Sequence, residues 1–263
     1  MNIKSKLSQG CIMPLLFLLL SHVSFSQVQD STQVKPQSFF SGNIVVTNNG
    51  MSLIPSFTLG KPALLFELSI GKNKLSFDPL IRFALDGKPW SFVFWWRYKV
   101  LTEGKFRLHV GAHPAINFRT IPVSINNETR DIQQVRRYLA TEVAPSIMIS
   151  KNFSLGMYYL YSRGLEEDAT KTTHFVTVNG SISQIKITKD VFLKVAPQLF
   201  YLMLDNEDGF FSNATLTLTK QNCPFSVSSV LNKSITSNIS SSKSFVWNIS
   251  LLYSFNQKYL RRG

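Results

Sequence analysis

Any chemistry in this chain would come from charged and imidazole side chains that recur in one phase of its alternating segments. Asp78, Arg82, Arg97, Lys99, Arg107, His109, His113, Arg136, Glu142 and Lys194 form the body of that set, with Glu67, Lys105 and Arg119 in the same phase. Gathered around one interior, they have two outcomes. Hydrated, they line a water-filled path whose excess of cations favours anions. Paired, they form a network that fills the space, because an isolated buried ion is very costly. A hydrolytic site would need a Ser, a His and a group to orient it. His109, His113 and Glu142 share a face and Ser146 follows, but Ser is abundant in this chain and the agreement is one of direction only. No catalytic residue is assigned and no enzymatic activity is expected. No basic helix, Gly-rich phosphate loop or zinc spacing accompanies the cations, so neither nucleic acid nor a cofactor is expected.

The elements that must position these side chains are clearest between Lys74 and Phe118. Apolar residues occupy the odd positions from Leu75 to Leu85, the even positions from Trp90 to Val100, and the even positions from Phe106 to Phe118. Asp86-Gly87-Lys88 and Thr102-Glu103-Gly104 separate the three segments. A period of two, in segments long enough for the roughly 9–11 residues of a membrane-crossing strand, predicts an antiparallel transmembrane β-barrel. One face meets hydrocarbon and the other a polar interior. A soluble, lipocalin-like barrel shows the same alternation with its faces exchanged. So many inward charges would make a poor ligand core, and Trp, Phe and Tyr at strand ends suit a lipid belt.

The N-terminus fits export. Lys4 and Lys6 precede an apolar core at Cys11–Leu20, and Ser24-Phe25-Ser26 supplies a small-residue cleavage site, which predicts a signal peptide over 1–26. The apolar run is shorter than the roughly 20 residues of a spanning helix. Cys11 stands at the head of that core and is not placed for lipidation. Beyond the leader Cys223 is the remaining cysteine, so no internal disulfide forms. Removing Lys4 and Lys6 from the 28 Lys and Arg leaves 26 against 15 Asp and Glu, a balance of +11.

A polar lead-in at 27–38 precedes a barrel at 39–256 and a tail at 257–263. Strands are expected near 39–48, 63–71, 136–150, 153–162, 174–187, 191–204, 211–220, 225–231 and 245–255 besides the three above, about twelve in all. The apolar stretch Gly50–Pro62 could add a strand at Ser52–Leu59. The apolar phase of 174–187 changes from Val176, Val178 and Ile182 to Ile185 and Ile187, which predicts a bulge near Ser183. Connections such as Arg119–Val135, Gly164–Thr173, Asp205–Gly209 and Asn232–Ser244 are long or polar and alternate with tight ones such as Lys72-Asn73. Short periplasmic turns, longer outer loops and an even strand count are the pattern of bacterial outer-membrane barrels.

Gly42–Phe118, with Thr47-Asn48-Asn49-Gly50, Leu59-Gly60-Lys61-Pro62, Gly87-Lys88-Pro89-Trp90-Ser91-Phe92 and Gly111-Ala112-His113-Pro114-Ala115, resembles a family of uncharacterised Gram-negative outer-membrane β-barrel proteins. The resemblance covers the N-terminal third best. It implies fold and outer-membrane location and carries no activity.

Two further features stand out. Asp78-Pro79, His113-Pro114, Ala144-Pro145 and Ala196-Pro197 put prolines mid-strand in the outward phase, where each removes a ladder hydrogen bond. A shape-setting bulge or bend is the expectation, with a kink beside an inward His113 as the functional alternative. Glu128, Asp131, Glu166, Glu167, Asp168, Asp205, Glu207 and Asp208 crowd the outer connections. They suit a solvated surface, or a divalent cation bridging to anionic outer-membrane lipids. The reading as a whole is a passive channel for small, anionic solutes. Its alternative is a plugged barrel that anchors surface loops.

Overall fold

The computed structural model describes residues 37–125 and 128–260. The expected signal peptide, the expected lead-in up to residue 36 and the last three residues of the expected tail lie outside the described residues. Twelve strands follow in order: β1 (Gln37–Thr47), β2 (Ala63–Lys72), β3 (Leu75–Ala84), β4 (Pro89–Leu101), β5 (Phe106–Ile125), β6 (Glu128–Met148), β7 (Phe153–Gly164), β8 (Thr172–Lys186), β9 (Val191–Leu204), β10 (Glu207–Lys220), β11 (Phe225–Ser237) and β12 (Phe245–Leu260). Each pairs antiparallel with its sequence neighbours, and β1 pairs with β12, from Gln37↔Leu260 to Thr47↔Ser250. That pairing closes the sheet and leaves no edge to be satisfied in hydrocarbon. Gln37 and Leu260 lie at the end of the barrel that carries the tight turns, here the turn end. The opposite end is the loop end.

Side chains follow the predicted alternation. Trp96 is 53% exposed, Trp247 46% and Met157 54%, and Leu139, Val143, Tyr159, Ile249 and Leu251 also point outward. Glu142, His113, Arg82, Asn213 and Asn248 are buried. An apolar band this continuous on the outside, with charges inside, fits lipid and excludes the soluble alternative.

Several expectations change. Ser52–Leu59 is not a strand but a loop with a single 3₁₀ turn at Pro55–Phe57. The connection expected at Arg119–Val135 is strand instead, since β5 and β6 run for 20 and 21 residues. Beyond Asn117 and Tyr138 these two strands pair with each other alone, as a ribbon standing above the barrel. Alternation sustains it, with Ile121 opposite Ile132 and Phe118 opposite Val135. β10 starts at Glu207, so Asp205–Asn206 is a two-residue turn with Asp205 at φ 53. β12 continues to Leu260 through much of the expected tail.

The bulge near Ser183 is present. Between Ile182↔Val195 and Ile185↔Leu193, two residues of β8 oppose Lys194, and Gln184 takes φ 60. The prolines, by contrast, sit at no bulge. Pairing lapses for two positions beside each, as between Glu67↔Leu80 and Ile70↔Phe77 at Pro79, and the register resumes unchanged. Pro114, Pro145 and Pro197 do the same toward β4, β7 and β8. The missing N–H opens one ladder, while the ladder on the strand's other side stays continuous. Bulges fall elsewhere. The one between Arg82↔Ser91 and Phe83↔Pro89 leaves Trp90 as the extra residue. It turns Trp90 inward, to 2% exposure, although its phase in the sequence predicts the outer face.

Candidate functional site

The inward charges meet at mid-barrel in a belt that crosses β2 to β7. Asp78 accepts from Ser69 Oγ at 2.5 Å and Ser76 Oγ at 3.1 Å. Arg97 donates from Nη1 to Asp78 Oδ2 at 3.1 Å and from Nε to Glu142 Oε1 at 2.7 Å, with Nη2 at 3.4 Å from Glu142 Oε2. Tyr158 completes the carboxylate by donating to Oε2 at 2.7 Å. The guanidinium also lies 4.4 Å over the Trp95 ring, which meets His113 edge-on at 3.7 Å between centroids. Gly111, opposite Glu142 in the register, makes room for this carboxylate: a Cβ there would stand 2.8 Å from Oε1 and 3.1 Å from the Trp96 carbonyl. One guanidinium held by two carboxylates through charged hydrogen bonds is a strong, geometrically fixed unit.

Arg97 is therefore occupied by the belt. His113 Nδ1 has no hydrogen-bond partner, and Glu142 is taken up by Arg97 and Tyr158. Ser146 stands opposite Arg107 in the register. These residues share the inner face, as their phase predicts, but they form no nucleophile–base–acid relay. The other cations separate toward the two ends. Lys99, Arg107, His109 and Lys194 lie on the turn side of the belt, Lys99 with its Nζ 5.6 Å over the Phe39 ring. Arg136 lies at the loop end, where it donates to Asp168 at 2.9 Å. Arg82 makes no ion pair; its guanidinium lies 4.4 Å over the Trp90 ring, with Glu67 the nearby acid.

Above the belt the lumen is apolar, which the charge pattern does not suggest. Val93 and Trp95 of β4, Tyr138 of β6, Phe175 of β8, Phe200 and Leu202 of β9, and Phe211 of β10 form one buried cluster. Leu53, Ile54 and Phe57 of the β1–β2 loop pack against it from inside the barrel. Phe57 lies 4.8 Å from the Tyr138 ring, and Trp90 Nε1 donates to the Phe57 carbonyl at 2.7 Å. The loop is further tied by Gly50 N to Lys61 O and by Ser52 N to Thr58 Oγ1. It enters the barrel because its apolar residues find partners there and would find none in water. The signal in the sequence is the run of apolar residues on both strand faces at Phe92–Trp96 and Leu199–Leu204, together with the apolar loop itself. Trp90, Trp95, Tyr158 and Phe57 are the site residues that charge patterning misses.

The inserted loop divides the lumen. Toward the turn end lies a chamber of about 410 Å³, walled by Glu67, Arg82 and Trp90 on one side and by Asn213, Thr215, Thr217, Ser228, Asn248 and Ser250 on the other, with Gly50–Leu53 as its roof. Toward the loop end a vestibule of about 780 Å³ carries Lys61, Lys88, Arg119, Arg136 and Lys243 against Asp205 and Glu207.

Most acids of the loop end engage protein groups. Glu166 accepts from the Arg137 N–H and guanidinium, both at 2.5 Å, and these bonds hold its carboxyl below the usual carboxylate range. Asp168 accepts from Arg136 and Gln134, Asp205 from the Thr172 N–H at 2.7 Å, and Glu207 from the Ser240 N–H at 3.1 Å. Among the described residues no three such side chains are gathered in a way that could hold a metal ion.

No protein-family model matches the sequence, and no curated protein matches it. Solved structures match it in fold. The KdgM porin aligns at 9% identity with a TM-score of 0.50, over 82% of this chain and 99% of its own. OmpT of Vibrio cholerae, described as expressed in the outer membrane, gives 10% and 0.42 over 83% and 98%. LpxR from Salmonella typhimurium gives 13% and 0.47 over 82% and 100%. At such identities the likeness concerns architecture, and one architecture hosts many activities. In fold, the chain is a closed twelve-stranded antiparallel β-barrel like those of outer-membrane proteins.

Proposed function

We propose that this protein is an outer-membrane channel for small solutes, with a preference for anions, held closed by its own β1–β2 loop. The turn end, where β1 begins and β12 ends, faces the periplasm, and the ribbon and loops face outward. The observation that carries the reading is the division of the lumen: two chambers, of about 410 and 780 Å³, with the 15-residue loop 48–62 folded between them against an apolar patch of the wall. The inserted tip of the loop, Ser52–Leu59, is held to the wall by one indole hydrogen bond and an apolar contact, an attachment that can break without disturbing the ladders. Cations outnumber acids in the vestibule, and Lys99, Arg107 and Lys194 do the same on the periplasmic side. A porin among the structural neighbours is in keeping with this.

A plugged barrel is the second reading, favoured by the ring stack of Phe200 on Phe211, 4.9 Å apart, and by Phe175 beside it, which belong to the wall and would remain if the loop left. In that case the projecting ribbon is what the barrel presents. Planar-bilayer recording separates the two. The intact barrel is expected to show rare openings, and a variant with residues 51–59 replaced by a short Gly-Ser linker frequent steps with an anion-selective reversal potential. A folded, loop-replaced barrel that passes no current would overturn the channel.

A further inference from the structure

Beneath the loop, two buried donors on opposite walls face the same chamber without protein partners. Arg82 is 9% exposed, its Nε has no acceptor, and no carboxylate among the described residues is within ion-pair distance of it. Asn213, 4% exposed, has an unpartnered Nδ2. Glu67 attracts the guanidinium across the chamber wall without forming an ion pair with it, and a buried cation so placed is disfavoured unless something in the site answers it more closely. The fold nonetheless builds the position carefully. The bulge that turns Trp90 inward lays its ring against one face of the guanidinium, which leaves the edge, with its parallel N–H groups, for a planar anion. Glu67, the acid on this wall, is held by Asn43, whose Nδ2 donates to Oε2 at 3.0 Å. Its other oxygen remains an acceptor.

We propose that this chamber is a binding site for a small hydroxylated carboxylate. Arg82 takes the carboxylate in a bidentate pair, Asn213 donates to it or to a neighbouring hydroxyl, and Glu67 accepts from a hydroxyl. The Ser and Thr side chains of β10 to β12 both donate and accept and suit hydroxyls, while Val45, Leu65, Leu80, Val230 and Leu252 between them suit the ligand's carbon chain. A volume of about 410 Å³ lies within the range of roughly 300–1,000 Å³ usual for small-molecule pockets. A purely inorganic anion would satisfy Arg82 and leave the opposite wall unused. A neutral sugar would do the reverse. The proposal rests on the channel reading for the ligand's access, and it names what the closed path selects.

The test is calorimetric titration of the refolded barrel in detergent, both intact and loop-replaced, with gluconate as probe and glucose and phosphate as controls. Gluconate is expected to bind more tightly than either control, and Arg82→Gln to weaken it at least tenfold. Arg82→Lys, which keeps the charge and loses the planar fork, should fall between them. Should both Arg82 variants fail to fold, Asn213→Ala reads the opposite wall and should weaken gluconate severalfold. Gluconate binding that is absent, unchanged by these variants, or matched by glucose or by phosphate overturns the site. Because no current is measured, Arg82-dependent binding in a barrel that never conducts would sink the channel and leave the chamber. Conduction without binding would do the opposite.

Discussion

Glu142 shows how a single residue can hold several strands together. It sits on β6, accepts from Arg97 of β4 and Tyr158 of β7, and through Arg97 reaches Asp78 of β3 and Ser69 of β2. Its side chain is nearly fully buried, whereas that of Arg97 is about one-third exposed to the lumen. Removing one partner of such a pair leaves a charge whose desolvation is no longer answered, typically a loss of about 3–5 kcal/mol. Glu142→Gln keeps the shape and removes the charge, so a destabilisation of about 3 kcal/mol is expected, at the lower end of that range because Asp78 still holds Arg97. Urea unfolding of the barrel in vesicles, followed by tryptophan emission, measures it, and Trp95 against the guanidinium provides a local reporter. An unshifted midpoint would show that the belt is solvated and contributes nothing. The face of every member of this belt could be read in the sequence from its odd or even position. Which acid meets which cation could not, because strands β3, β4 and β6 are brought into line by pairing registers that alternation does not specify.

At the scale of elements, the prolines change meaning once the ladders are known. Each opens a gap toward one neighbour and keeps the strand's register. Three of the four gaps, at Pro79, Pro114 and Pro145, adjoin the charged belt, at Asp78, His113 and Tyr158. If the missing donor alone causes the gap, Pro114→Ala restores it. One new slowly exchanging amide at position 114 is then expected, with a net stability change of less than about 1 kcal/mol. The hydrogen bond gained and the chain entropy lost with proline are of similar size. Amide exchange followed by NMR in micelles measures this. A fast-exchanging amide would assign the gap to the Trp95–His113 contact instead. The bulge in β8 was readable because the apolar phase itself slips there. The bulge at Trp90 was not: Trp90 continues the outward phase of β4, and the contacts it gains inside, a hydrogen bond to the loop carbonyl and the Arg82 guanidinium over its ring, come from distant parts of the chain.

At the scale of the molecule, the two ends of the barrel differ. Four-residue or shorter turns close one end, and Cys223 is exposed in the turn between β10 and β11. The other end carries the inserted loop, the ribbon and the β11–β12 loop at 238–244. With the turn end in the periplasm, a polymer-linked maleimide too large for porins should leave Cys223 unlabelled in intact cells and modify it once the outer membrane is breached. A cysteine introduced by Ser241→Cys in a Cys223→Ser background should react in both. The reverse pattern would invert the barrel and place the cationic vestibule on the periplasmic side.

The sequence by itself determined an antiparallel barrel of about twelve strands, the inward or outward face of most of their residues, and the membrane as solvent. These follow from a local rule, since successive side chains on any extended chain point to opposite sides. Even the slip in β8 obeys it. The tertiary structure decided what the interior is. Whether inward cations line water or meet carboxylates depends on which strands face one another across a closed circumference. Whether the first loop leaves for solvent or folds into the lumen depends on an apolar cluster contributed by β4, β6 and β8 to β10, residues far apart in the chain. Alternation assigns each of these residues to a side. Closure of the barrel brings them within reach of one another, and that proximity turns a polar tube into two chambers with a loop between them.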